Sequence, residues 1–196
     1  MGKIYFLLGG ARSGKSQYSE ELAASISKDV GYLATAEIID EEMEKRIEFH
    51  RQRRPGSWRT FEIDKDEFNI EKIEEIIDAA AQKLDVLLID CITILLFRLI
   101  YKSELDDLEV MDNRLEREME KKVEKFFDRV IAVLKNASSS YNLNIIIVSN
   151  EVGLGVVPPY PFGRVFRDML GLINKKIAGI SDEVYFFISG LNLRMK

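Results

Sequence analysis

The chain has 196 residues, of which 46% are hydrophobic and 31% charged, with one cysteine and a formal net charge of −5 at pH 7. That length suits one well-buried domain over residues 1–196, and the acidic balance excludes the basic footprint of a nucleic-acid-binding protein. Lone Cys91 excludes an internal disulfide and fits a reducing, cytoplasmic compartment. The apolar run CITILLFRLIY, residues 91–101, is too short to span a bilayer and carries Arg98, so no membrane insertion is expected.

In chain order, KIYFLLGG is a short apolar run ending in glycines, the pattern of a strand buried on both faces of a parallel sheet. KSQYSEELAASIS predicts a helix and DVGYLATA a second strand. DEEMEKRIEFHRQRR, residues 40–54, predicts a helix with an acidic start and a basic end, stopped by Pro55 and Gly56. SWRTFEI alternates as a short strand. NIEKIEEIIDAAAQK is an amphipathic helix and LDVLLID a third buried strand. Residues 91–101 read as helix. Residues 106–140 form a long charged helix with apolar positions at Leu108, Leu115, Met119, Val123, Phe126, Phe127, Val130 and Leu134. LNIIIVSN is a fourth strand, EVGLGVVPPYPFG a Gly/Pro loop, RVFRDMLGLINKKIAGI a helix and DEVYFFIS a fifth strand. NLRMK closes as a short terminal hairpin strand. Strands alternating with helices define an α/β class with a mostly parallel sheet flanked by helices.

The segment GGARSGKS carries the clearest chemistry. Gly9, Gly14, Lys15 and Ser16 fit G-x-x-x-x-G-K-[ST], with Gly10, Ala11, Arg12 and Ser13 between them. Glycines let the backbone wrap a triphosphate with its N–H groups pointing inward. Lys15 reaches the β and γ phosphates of ATP or GTP, and the Ser16 hydroxyl can ligate Mg²⁺. Such a site needs a second acid for the metal or its waters. Asp90 stands at the end of LLID, on the strand edge where open α/β sheets bind ligands; it could also cap the helix that follows. Cys91 reads as a small buried residue rather than a nucleophile. The same edge receives Thr35, Ala36 and Glu37 after the second strand, and Asn150, Glu151, Gly153 and Gly155 after the fourth. Turn geometry and substrate contact both account for the last two glycines.

The only histidine, His50, lies among Arg46, Arg51, Arg53 and Arg54. Two readings stand. Met43, Ile47 and His50 share a helix face, which suits a core histidine. Neighbouring guanidinium groups would instead hold the imidazole neutral and therefore nucleophilic, while binding phosphate oxygens bidentately. The arginines alone also suit a solvated helix end interacting with its dipole.

Taken together, GGARSGKS, ATAE, RIEFHRQRRPGSWRTFE, LLIDCIT, SNEVGLGVVP, FRDMLGLIN and DEVYFFISG resemble, in order and spacing, the bifunctional adenosylcobinamide kinase / adenosylcobinamide-phosphate guanylyltransferase family of cobalamin biosynthesis. The P-loop is generic. The run His50, Arg51, Arg54, Pro55, Trp58, Thr60, Glu62 and the run Asn150 to Pro158 are specific. The resemblance implies a kinase step from ATP or GTP onto the aminopropanol hydroxyl of adenosylcobinamide. It implies a second step in which His50 attacks the α-phosphate of GTP and the GMP passes to adenosylcobinamide phosphate. It assigns catalysis to His50 and Lys15, and nucleotide contacts to Gly9–Ser16, Thr35, Ala36, Glu37, Arg51, Gln52, Arg53, Arg54, Glu62 and Asp90. It also implies a homotrimer with active sites near subunit interfaces. Phe49 stands where some members have a second histidine, and Asp90 where some have glutamate. A P-loop kinase of another small molecule, with His50 structural, and a nucleotide-driven switch are the alternatives.

Overall fold

The computed structural model describes residues 1–37, 41, 48, 51–101 and 113–196. Seven strands form one sheet: β1 (Ile4–Gly9), β2 (Val30–Ala34), β3 (Arg59–Glu62), β4 (Val86–Asp90), β5 (Asn144–Asn150), β6 (Glu183–Ile188) and β7 (Leu191–Arg194). Their order is β3-β2-β4-β5-β1-β6-β7, and only β7 runs antiparallel, as the second arm of a hairpin with β6. The helices are α1 (Lys15–Ile26), α2 (Ile70–Ala81), α3 (Ile92–Tyr101), α4 (Asn113–Tyr141) and α5 (Pro161–Ile180).

The central strands are apolar throughout because both faces are covered. Alternation sends Ile4, Phe6, Leu33, Leu87, Ile89, Ile145 and Ile147 to one core, shared with buried residues of α2, α3, α4 and α5. It sends Leu7, Val30, Tyr32, Val86, Leu88, Ile146 and Val148 to the other, where Ala23 of α1 and Trp58 join them. Trp58 is thus the anchor that seats the end of the arginine-rich segment on the α1 face of the sheet.

Helix starts follow local chemistry. Asn69 caps α2 by accepting from the Lys72 N–H at 2.8 Å. Residues 161–163, read from the sequence as loop, belong to α5 instead: Pro161 occupies the first turn, where its missing N–H costs nothing and its fixed φ suits the helix. On α4, Met119, Val123, Phe126, Phe127, Val130 and Leu134 are buried as their spacing predicts. Leu115 is 38% exposed, unlike those buried positions that follow it. Leu108 and residues 106–112 lie outside the described residues, as does most of the helix expected over 40–54; residues 41, 48 and 51–53 are helical. No described helix is long and apolar enough to cross a membrane.

Candidate active site

The sheet register lines up the chemistry. Ala34 is opposite both Glu62 and Asp90, Asp90 is opposite Val148, and Gly9 is opposite both Asn150 and Phe187. The carboxyl ends of β1 to β6 therefore share one edge, and the predicted site segments leave from it. Asp90 is two strand positions from β1, roughly 10 Å at the usual spacing. Glu62 lies on the edge strand, four positions from β1 or roughly 19 Å, well away from the glycine-rich loop.

That loop is braced from two sides. Gly9 accepts from the Glu151 N–H at 3.0 Å, and Ser13 accepts from the Gly190 N–H at 3.2 Å. Only glycine fits at position 9, since a Cβ would stand 2.4 Å from the Phe187 carbonyl oxygen. Gly14 has φ +95°, a left-handed conformation that turns the chain into α1. The terminal hairpin thus presses against the loop, a support the sequence pattern gave no sign of.

Lys15 is buried, and its ammonium donates to the carbonyls of Gly9 at 2.8 Å and Gly10 at 2.7 Å. Burial pushes its pKa below the ordinary 10.5, with the nearby Asp90 charge opposing the shift. Ser16 opens α1 beside it, and its carbonyl accepts from the buried Ser19 hydroxyl at 2.8 Å. Gly10, Ala11, Arg12 and Gly14 face solvent.

Asp90 accepts from the Tyr32 hydroxyl at 3.2 Å. Cys91 has its thiol pushed up to about 12, first by burial and then by the Asp90 charge, so it is a thiol rather than a thiolate at neutral pH. Thr35 is fully buried: its hydroxyl accepts from the Cys91 N–H at 2.6 Å and donates to the Cys91 carbonyl at 2.9 Å. Ala36 and Glu37 are partly buried beyond it, and Glu37 pairs with Arg98 at 3.5 Å.

His50, with Arg46 and Phe49, lies outside the described residues. The residues after it are described; Arg51, Gln52 and Arg53 are exposed and Arg54 is partly buried. Arg53 donates to Glu20 of α1 at 3.0 Å. Arg54 lies over the Tyr32 ring, its Cζ 3.8 Å from the centroid, and donates to Thr60 Oγ1 at 3.4 Å. Arg51 and Gln52 are exposed, with Gln52 donating to Glu48 one turn back at 3.0 Å. Arg54, Tyr32 and Asp90 therefore form a continuous chain of contacts from the arginine run to the carboxylate beside the phosphate loop.

Three residues of this edge were not singled out from the sequence. Tyr32 read only as a strand residue. Thr93 and Asn174 hold the end of β5: the Asn150 N–H donates to Thr93 Oγ1 at 2.9 Å, and Asn174 bridges the Ser149 hydroxyl and the Asn150 carbonyl at 2.7 and 3.1 Å. Asn174, buried on an otherwise apolar helix face, was the available signal. Beyond Asn150, Gly153 and Gly155 are exposed, and neither has the positive φ found at Gly9, Gly14 and Gly190.

A glycine-rich loop between a buried parallel strand and a helix, a lysine inside it and a carboxylate two strands away define a P-loop nucleotide-binding protein. An ATPase from the type III secretion system of pathogenic bacteria shares this fold at 12% identity, with a TM-score of 0.55 over 99% of this chain and 58% of that one. The family model described as "Cobinamide kinase / cobinamide phosphate guanyltransferase" matches residues 5–195. The chain is 35% identical over 194 residues to the "Bifunctional adenosylcobalamin biosynthesis protein CobU" of Escherichia coli, covering 98% of this chain and 99% of that protein. It is 36% identical over 190 residues to the "Bifunctional adenosylcobalamin biosynthesis protein CobP" of Pseudomonas aeruginosa, covering 97% and 95%. The chain belongs to the cobinamide kinase / cobinamide phosphate guanyltransferase family.

Proposed function

We propose that one domain spanning residues 1–196 carries out both steps: phosphorylation of the aminopropanol hydroxyl of adenosylcobinamide from ATP or GTP, then guanylyl transfer to adenosylcobinamide phosphate. Family membership supports the pair of activities. The observation that carries the site assignment is the contact chain Arg54–Tyr32–Asp90. It joins the segment after His50 to the phosphate loop's carboxylate.

In the kinase step the acceptor oxygen forms a bond to the γ-phosphorus, the bond to the β-phosphate oxygen breaks, and the hydroxyl proton is released. Lys15 and the loop N–H groups stabilise the charge that moves onto the phosphate oxygens. In the second step a neutral His50 nitrogen attacks the α-phosphorus of GTP and pyrophosphate leaves. A phosphate oxygen of adenosylcobinamide phosphate then attacks the same phosphorus, breaking the P–N bond and regenerating the histidine. Arg51, Arg53 and Arg54, which follow His50 in sequence, bind the phosphates. Ala36, Glu37, Gln52 and Glu62 complete the nucleotide contacts, and Thr35, fully buried with its hydroxyl committed to the Cys91 backbone, supports them from behind.

The residues present suit Mg²⁺. Ser16 and Asp90 offer hard oxygen donors on the phosphate side of the loop, and Mg²⁺ takes few protein ligands beside phosphates and water. When bound, it neutralises phosphate charge. Leu154, Val156 and Leu191 are 80%, 94% and 76% exposed, which supports the homotrimer as their cover. The single cysteine supports a cytoplasmic setting.

The test is the intact mass of the protein after incubation with GTP and Mg²⁺, without corrinoid. A GMP-sized increase removed by brief acid is expected of a phosphoramidate on the only histidine. An unchanged mass, with kinase activity present, favours the simple kinase.

A further inference from the structure

Arg98 is a charged residue inside an otherwise apolar helix, and it is only 7% exposed. A buried guanidinium is costly unless its donors are satisfied, so its partners reveal what it does. Nη1 donates to the Thr35 carbonyl at 3.2 Å and Nη2 to the Ile63 carbonyl at 2.7 Å. Nε stands 3.5 Å from Glu37 Oε2, and the group lies over the buried Phe68 ring, 4.4 Å from its centroid. All of these partners lie on the β2–β3 side of the sheet. One planar fork thus ties together the backbone leaving β2 and the backbone leaving β3, from a helix that itself follows Asp90.

Those two backbone stretches matter because of what continues from them. Thr35–Glu37 is the start of the connection that carries His50, and Ile63 follows Glu62. Those stretches leave β2 and β3, three and four strand positions from β1 and its glycine-rich loop. The loop itself is braced by different groups, Glu151 and Gly190.

We infer that Arg98 is a positioning residue for guanylyl transfer, holding Thr35–Glu37 and Glu62–Ile63 in register so that the histidine segment meets the α-phosphate. This rests on His50 being the guanylyl acceptor. Arg98 touches no substrate in this role. Its removal loosens the backbone leaving β2 and β3, while the glycine-rich loop keeps its own braces at Glu151 and Gly190. Displacements of about 1 Å in a reacting constellation cost on the order of 100-fold in rate.

The test is Arg98→Met, with the rate of acid-labile GMP incorporation and the rate of adenosylcobinamide phosphorylation measured on the same sample. Taking their ratio cancels any change in the folded fraction. The ratio is expected to fall at least about tenfold. Arg98→Lys keeps the charge but cannot fork between two carbonyls; it is expected to lower the ratio less, and carries the comparison if the methionine variant is insoluble. A ratio within about twofold of the parent protein overturns the proposal. A parent protein that forms no adduct fails differently: it removes the histidine reading itself, before any variant is compared.

Discussion

Tyr32 donates its hydroxyl hydrogen to Asp90 Oδ2 across 3.2 Å while Arg54 stacks on the same ring at 3.8 Å. The phenol is buried, and that burial together with the Asp90 charge pushes its pKa far above the ordinary 10.0. It therefore remains a donor throughout any working pH range, and it aims the carboxylate proposed to hold Mg²⁺.

Tyr32→Phe removes that donor and keeps the ring under Arg54. The expected stability loss is about 1.5–3 kcal/mol, the range for hydrogen bonds to charged groups. The more telling change is in metal dependence. The Mg²⁺ concentration for half-maximal kinase rate should rise several-fold, measured by titration at saturating nucleotide. An unchanged titration would separate Tyr32 from the metal site.

Lys15 makes nucleotide binding pH-dependent with a definite sign. Burial lowers its pKa in the free protein below 10.5. A polyphosphate beside the ammonium favours the charged form and raises the pKa in the complex. The complex then holds more protons than the free protein across the window between the two values. Affinity for ATP or GTP should fall as pH rises through the lower one, with proton uptake on binding. Calorimetric titrations in buffers of different ionisation enthalpy, from neutral to alkaline pH, measure both. Binding that strengthens with pH in that window would contradict the assignment.

Two substitutions should separate the activities. His50→Ala should abolish GMP incorporation and keep the kinase rate within about threefold, because phosphoryl transfer depends on positioning and charge at the loop. Lys15→Ala should lower the kinase rate on the order of 100- to 1,000-fold by removing a charge placed at the developing transition state. Steady-state rates with adenosylcobinamide and GMP-adduct rates without it check both. Guanylyl transfer surviving in His50→Ala would exclude it as the nucleophile.

The sequence by itself determined the α/β class, the buried strands and the phosphate loop. Each depends on local rules: an apolar run bounded by glycines reads as a strand buried on both faces, and G-x-x-x-x-G-K-[ST] needs only its own backbone to make an anion cradle. It also placed Asp90 at the carboxyl end of a buried strand, where open α/β sheets bind ligands. At Pro161 two local rules competed: a Gly/Pro-rich stretch reads as loop, but proline also suits a helix's first turn, and it began a helix.

Tertiary structure alone decided the rest, because long-range contacts leave no periodic trace. Gly190 is far from Ser13 in the chain and donates to its carbonyl; Tyr32 and Asp90 meet only because β2 pairs with β4. Arg98 read as an interruption in an apolar helix and became the link between the ends of β2 and β3. A buried charge declares its purpose only through the partners that satisfy it, and those partners are set by how the strands are ordered in the sheet.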